Sequence, residues 1–455
     1  MKIKSRREFL TAGSTATLSA MLAASRPAFG FSRAEGTKPA LLGGEPVRSK
    51  PFTSWPVWDE RDENAILPVL RSGVWSRDAV VAQAEQRYAA LMGARYCLLT
   101  CNGTQALITA LRALGIEGGD EVITTPYTFV ATIDAILLNN ALPVFVDVDP
   151  DTWQIDADRI EAKITPATKA LLPVHILGGV CDMDKINAVA AKHGLRIVED
   201  ACEAHLAEWK GKKAGTLGDL GCFSLQNGKQ ITCGEGGAIL GDDEQVMELC
   251  YSFHNFGRIR GKHMPTDKGA SPILGTKCRA SEYQASILIT QMESAAAETR
   301  KRHENARYLS SKLKTIPGIV PRRDYAQTNL TSYYYYGFRL KEREFGLSRT
   351  VFVKAMKAEG IGLSTGLGVI EGGPMYREGV LESTLTSRTF RKLYPQQRLA
   401  ELLHDDHFPH CEQLVRETVG MHQSFLLGTR ADMDDICRAV EKIHQNREAL
   451  AKIAL

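Results

Sequence analysis

Past its N-terminal region the chain lacks any apolar run of the roughly 20 residues that a membrane-spanning helix requires. It lacks an excess of either charge: 56 Lys and Arg stand against 53 Asp and Glu, interspersed along the chain. That balance argues against a nucleic-acid surface or a membrane-binding face. It also lacks a Cys-x-x-Cys pair. Ten cysteines stand singly at 97, 101, 181, 202, 222, 233, 250, 278, 411 and 437, several inside apolar runs. They read as buried thiols and not as a disulfide framework. There is no internal repeat and no low-complexity tract. What remains is 455 residues, 44% of them hydrophobic, enough for a large core and two domains.

The N-terminus, "MKIKSRREFLTAGSTATLSAMLAASRPAFG", has a basic start, Arg6-Arg7 followed by Glu8-Phe9-Leu10, and a mild apolar stretch to Ala24. A basic arm or a short amphipathic helix would share some of this. The Ser-Arg-Arg-x-Phe-Leu order followed by small residues favours a twin-arginine export signal over residues 1–30 and a periplasmic destination. That route carries proteins already folded, which is compatible with free thiols. Beyond the signal no membrane contact is expected.

Residues 31–58 are an irregular lead-in rich in Gly, Pro and Trp. Asp59 is placed to cap a helix towards Ser72, with Gly73 ending it, and 78–92 has a helical pattern. Short apolar strands then alternate with helices. Strands are expected at 95–100, 120–125, 142–148, 169–175, 195–200, 221–225 and 236–240, and helices at 104–114, from Pro126 to about Asn139, and at 183–194. This is the rhythm of an α/β layered domain with a mostly parallel seven-stranded sheet, its last two strands an antiparallel hairpin. A long helix over 281–315, a strand over 331–340, and helices over 349–360 and 432–446 suggest a smaller α+β domain. The expected division is a signal over 1–30, a large domain over 31–310 and a small domain over 311–455.

In such folds ligands bind at the strand ends, and four of these carry unusual residues. "CNGTQAL" (101–107) puts Gly103 and Thr104 where a helix N-terminus attracts phosphate, although Asn-Gly-Thr is also an ordinary turn and cap. "VEDACEAH" (198–205) ends an apolar strand with Glu199-Asp200. A buried carboxylate there needs a partner such as a protonated pyridine nitrogen, unless Asp200 simply caps the next helix. "PYTFVAT" (126–132) places Phe129 to stack on a planar ring, or in the core. "FSLQNGKQITCGEGG" (223–237) isolates Lys229 in a stretch poor in charge, five residues after Ser224. A lysine that forms a Schiff base must be partly desolvated, whereas an ordinary lysine is solvated. Each feature singly has a plain structural explanation. Together they meet the needs of pyridoxal 5′-phosphate: a phosphate cradle, a pyridinium partner, a ring stack and an imine-forming amine.

These stretches, with "CNGTQALITALRALGIEGGDEVI" (101–123), "PVHILGGVCDMD" (173–184) and "GTKCRASEYQAS" (275–286), resemble the DegT/DnrJ/EryC1/StrS aminotransferases, the sugar-aminotransferase branch of fold-type I pyridoxal phosphate enzymes. The likeness is dense from about 60 to 300 and extends to the branch of 3-amino-5-hydroxybenzoate synthase and cyclitol aminotransferases. It implies the following roles. Lys229 is the Schiff-base lysine and proton shuttle, and Asp200 pairs with the pyridinium. Phe129 stacks on the ring, while Gly103, Thr104 and Ser224 hold the phosphate. Glu203 lies near the ring hydroxyl, and Trp75 and Arg258 fall on the substrate side. It also implies a homodimer with shared active sites. The reaction would be ping-pong, from glutamate or glutamine to a keto-sugar or keto-cyclitol.

Two departures stand out. Lys277 replaces an Asn that in the family reaches the phosphate of the neighbouring subunit, and a lysine there can bind phosphate as a point charge. Residues 362–374 lack the family's usual substrate-side pattern. "HDDHFPHC" (404–411) matches no common zinc spacing and reads as a polar loop in which Pro409 breaks any helical face. The alternatives are an exported, non-catalytic homologue that binds pyridoxal phosphate or a sugar, and a pyridoxal phosphate-dependent dehydratase or lyase. The dehydratases replace the lysine with histidine, so Lys229 argues against that second option.

Overall fold

The computed structural model describes residues 38–264, 267–366 and 373–453. The export signal expected over 1–30 and residues 367–372 of the substrate-side stretch lie outside the described residues.

Among the described residues Asp59 begins the first α-helix, α1 (Glu60–Ser72): its side chain accepts from Arg61 N–H while Asp62 reaches back to the Asp59 N–H. Gly73 ends α1 at φ 71°, in the left-handed region. After α2 (Ala79–Met92) the alternation starts: β1 (Tyr96–Thr100), α3 (Gly103–Ala113), β2 (Glu121–Thr124), α4 (Val130–Leu138), β3 (Leu142–Phe145) and β4 (Thr168–Leu171). It continues through α5 (Met183–His193), β5 (Arg196–Asp200), the short β6 (Glu208–Trp209) and β7 (Lys212–Lys213), β8 (Leu220–Ser224) and β9 (Gly237–Gly241). Then come α6 (Glu244–His254), α7 (Glu282–Leu313), β10 (Ile319–Pro321), β11 (Thr328–Leu330), β12 (Tyr335–Leu340), α8 (Arg349–Ala358), β13 (Thr418–His422) and α9 (Arg430–Gln445).

The main sheet has seven strands in the order β1-β9-β8-β5-β4-β2-β3. It is parallel except for β9, which runs antiparallel to both β1 and β8. The expected hairpin of β8 and β9 is therefore present, but β9 also pairs with β1. The strands near 142–148 and 169–175 are shorter than expected. After Phe145 the chain leaves the sheet, and the Asp147 carboxylate accepts from the amides of His410 and Cys411. After Leu171 the chain reaches Pro173, which has no N–H to continue a ladder, and only a single bridge, Val174 to Asp200, follows.

Apolar residues on both faces of the sheet build its core: Ile123, Val144, Leu171 and Phe223 on one side, Val122, Ala170, Val198 and Ile239 on the other. Residues between Met375 and Leu414, including Phe390 on a helix and Phe408 just before one, pack into the first of these clusters. A second core gathers α7, β12, α8, β13 and α9 around Phe338, Phe352 and Val440. Two details differ from expectation in this half. The strand near 331–340 begins only at Tyr335, because Tyr333 sits at φ 51° and turns the chain. Pro409 does not break a helix: it opens one, Pro409–Glu417, at the position where a missing N–H costs nothing.

Candidate active site

The cavity forms where β9 holds the ends of β1 and β8 together. Gly237 is the register partner of both Thr100 and Ser224. A Cβ on Gly237 would come within 2.3 Å of the Asn102 carbonyl oxygen, so only glycine lets the turn after β1 close against this strand. That turn leads into α3, where the Asn102 side chain accepts from Gln105 N–H and caps the helix. Gly103 follows, and a Cβ there would lie 2.9 Å from Ser224 Cβ and 3.1 Å from Cys202 Sγ. A helix N-terminus and a serine hydroxyl thus share a small cradle that any side chain at 103 would fill, the arrangement that binds a phosphate.

His205 braces the cradle from behind. Its Nε2 bonds the Ser224 carbonyl at 2.8 Å and its Nδ1 the Tyr88 hydroxyl at 2.9 Å. A carbonyl only accepts, so Nε2 carries a proton. Burial, with smaller contributions from Lys229 and Arg302, pushes its pKa down to about 3.

Strand alternation separates the two carboxylates at the end of β5. Glu199 is fully buried and accepts from the amides of Gly215, Leu217 and Gly218, with His175 Nε2 at 2.8 Å. It is a structural group. Asp200 lines the cavity at 5% exposure. The Thr132 hydroxyl donates to it at 2.7 Å and the Cys202 N–H at 3.2 Å. No helix follows β5 directly, which removes the reading of Asp200 as a cap. Among the described residues no cation pairs with it, so this buried anion has dipoles for partners and lacks a positive charge.

Lys229 stands in the loop between β8 and β9. Its carbonyl accepts from Trp55 Nε1–H at 3.1 Å, its N–H donates to Gln226 O at 2.9 Å, and His422 Nε2 bonds the neighbouring Gly228 carbonyl at 3.0 Å. Lys229 Nζ lies 3.2 Å from Glu203 Oε1 and 3.8 Å from the centroid of the Tyr334 ring. Burial alone would push this amine down, but the Glu203 carboxylate and Tyr334 outweigh it and hold the ammonium above the usual lysine range. Glu203 also accepts from Leu177 N–H at 2.8 Å, and burial pushes its carboxyl up against both partners.

One cavity of about 430 Å³ thus gathers Gly103, Thr104, Phe129, Asp200, Glu203, Ser224 and Lys229. Phe129, half-exposed at the start of α4, presents its ring at the rim instead of in the core. Thr132, Cys202 and Tyr334 also line it. Sequence reasoning missed them. Thr132 lies one helical turn after Phe129, a usable signal, while Tyr334 is hidden in a run of four tyrosines. Three expected residues lie outside the cavity. Trp75 is 53% exposed and its Nε1–H donates to Leu70 O. Arg258 is exposed beside Phe256, and Lys277 is exposed and bridges Asn255.

Pyridoxal phosphate fits these residues: a cradle shaped by Gly103, an anion at Asp200 that lacks a cation, and a buried amine. The fold is that of the pyridoxal phosphate-dependent aminotransferases. A model of the DegT/DnrJ/EryC1/StrS aminotransferase family matches residues 56–393, and the chain belongs to that family. A protein of Streptoalloteichus tenebrarius provisionally named L-glutamine:3-amino-2,3-dideoxy-scyllo-inosose aminotransferase is 37% identical over 422 residues, 90% of this chain and 99% of that one. The L-glutamine:2-deoxy-scyllo-inosose aminotransferase of the same organism is 34% identical over 421 residues, 89% of this chain and 97% of that one. The crystal structure of 3-amino-5-hydroxybenzoic acid synthase superposes with a TM-score of 0.74 at 28% identity, covering 88% of this chain and all of that one. The chain is an aminotransferase, and nothing among these relatives favours a binding protein or a dehydratase.

Because the folded His205 titrates near pH 3 and an unfolded histidine near 6.5, its neutral form stabilises the fold fully above pH 6.5. That contribution is lost as pH falls through this window, at roughly 1.4 kcal/mol per pH unit. Urea unfolding of His205→Gln should therefore show a shallower loss of stability than the wild type between pH 6.5 and 4.5. Equal slopes would place a charged or solvated imidazole at 205.

Proposed function

We propose that this chain transfers the amino group of L-glutamine, or glutamate, to the carbonyl of a keto-cyclitol or keto-sugar, as a homodimer, after export through the twin-arginine route. The observation that carries the chemistry is the meeting in one cavity of a lysine paired with Glu203 and a buried Asp200 without a cation. The donor and the acceptor class draw on the names of the relatives above.

Pyridoxal phosphate, when bound, supplies an aldehyde for Lys229 and an electron-poor ring into which carbanion charge drains. Gly103, Thr104 and Ser224 would hold its phosphate, Phe129 would cover its ring, and Asp200 would keep a positive charge on its nitrogen. Lys229 Nζ then takes the proton from Cα of the donor and later returns one to the former carbonyl carbon of the acceptor. The fixed loop around Lys229, tied by Trp55, Gln226 and His422, limits how far Nζ travels between these two positions.

The dimer draws support from a concentration of exposed apolar side chains early in the chain. Val57, Trp58, Leu67, Leu70, Val74 and Trp75 are all exposed within 19 consecutive residues. Lys277, Trp75 and Arg258 would complete the site of a neighbouring copy. The export reading rests on the residues Ser5 to Leu10.

Two outcomes are expected. With purified holoprotein, L-glutamine alone should change the visible spectrum of the bound cofactor, and a keto-cyclitol should restore it while gaining an amine by mass. Lys229→Ala should lower turnover by about 10²–10⁴-fold or more. A holoprotein whose spectrum no amino donor alters would overturn the proposal. For the signal, Arg6→Lys with Arg7→Lys should keep the protein in the cytoplasmic fraction, and unchanged export of the double variant would refute it.

A further inference from the structure

The Tyr334 ring lies within cation–π range of Lys229, Nζ being 3.8 Å from its centroid. The backbone holds Tyr334 from both sides: its N–H donates to Leu177 O at 3.1 Å, and its carbonyl accepts from Gln423 N–H at 3.1 Å. Tyr333, just before it, sits at φ 51°, and Leu177 at φ 55°. Bulky residues adopt this region only when their surroundings impose it. The two turns pack backbone against backbone, since a Cβ on Gly178 would lie 2.4 Å from Tyr333 N. Leu177 is also the residue whose N–H donates to Glu203. One pair of strained turns therefore places both partners of the lysine.

We infer that Tyr334 is a positioning residue for amino transfer, clamping the Lys229 ammonium against Glu203 at the cavity wall. The inference rests on the aminotransferase reading of the site. An ammonium has no lone pair, so Nζ must lose a proton before it can attack a carbonyl carbon. Glu203 Oε1, at 3.2 Å, accepts that proton. Ammonium and carboxylate become amine and carboxylic acid, with total charge unchanged. The π face attracts the cation and not the amine, so Tyr334 weights this exchange towards the ammonium, and Glu203 weights it the same way until it is protonated. The other titratable or charged groups that face Lys229 are Asp200 and Cys202 in the cavity and His205, His422 and Arg302 behind it. Both histidines are pushed down chiefly by burial and stay neutral, so they do not compete for the proton.

The test uses the full-length chain freed of cofactor. Lys229 is acetylated with acetic anhydride across a pH series, and its labelling is compared by mass with that of exposed Lys192. The pH midpoint of labelling reports the charge on Nζ irrespective of how open the site is. Tyr334→Leu should lower that midpoint by about 0.4–1.5 pH units, the span expected from loss of one cation–π contact. Tyr334→Phe keeps the ring face and should stay within about 0.3 units of wild type. Tyr334→Met gives the same reading as Leu should the Leu variant unfold. An unchanged midpoint in a folded Leu or Met variant, or a Phe variant shifted as far as Leu, would overturn the clamp. The labelling involves neither cofactor nor substrate, so the aminotransferase reading fails separately, on the donor half-reaction.

Discussion

The site is governed by a charge imbalance inside low-dielectric surroundings. Asp200 and Glu203 bring two buried carboxylates to one cavity, and Lys229 brings one ammonium. An uncompensated buried carboxylate costs several kcal/mol, and hydroxyl and amide dipoles offset only part of that. The Thr132 hydroxyl and the Cys202 amide hold the Asp200 carboxylate in place without supplying a positive charge. The cavity is therefore built to receive a cationic ring edge. The neighbouring Glu199 shows what the fold does when it wants a carboxylate only for structure: it surrounds it with three amides and a histidine on the far side of the strand.

Everything that surrounds this imbalance follows from the sheet. Inserting antiparallel β9 between β1 and β8 brings the helix start at Gly103 to Ser224, and Gly103 and Gly237 at the crossing leave room for that close approach. The same loop that links β8 to β9 carries Lys229 to the cavity wall. Tyr334, from the segment leading into β12, packs into the first core beside the lysine, and His422 at the end of β13 bonds the Gly228 carbonyl, so the later part of the chain also holds the lysine loop.

Much of this was legible in the sequence. The strands of the main sheet are short β-branched or apolar runs bounded by Gly, Pro and Asn, and the helices between them carry ordinary caps, so periodicity located them within a few residues. Strand ends failed where a local event outside periodicity decided them: Pro173, the Asp147 carboxylate turned towards His410, and the left-handed Tyr333. Six of the seven cavity residues were legible because they sit at strand ends or in the loop just after one, while Glu203 came from the resemblance. Thr132 and Tyr334 were not, since a threonine on a helix and a tyrosine in a tyrosine run look like packing. Trp75, Arg258 and Lys277 came from resemblance alone, and in one chain they lie apart from the cavity.

The most direct test of the charge imbalance is the ¹⁵N NMR signal of ring-labelled pyridoxal phosphate bound to the full chain. The ring nitrogen should be protonated in the wild type near neutral pH and unprotonated in Asp200→Asn. An unprotonated ring nitrogen in the wild type, or one equally protonated in both, would contradict the role given to Asp200 and with it the logic of the cavity.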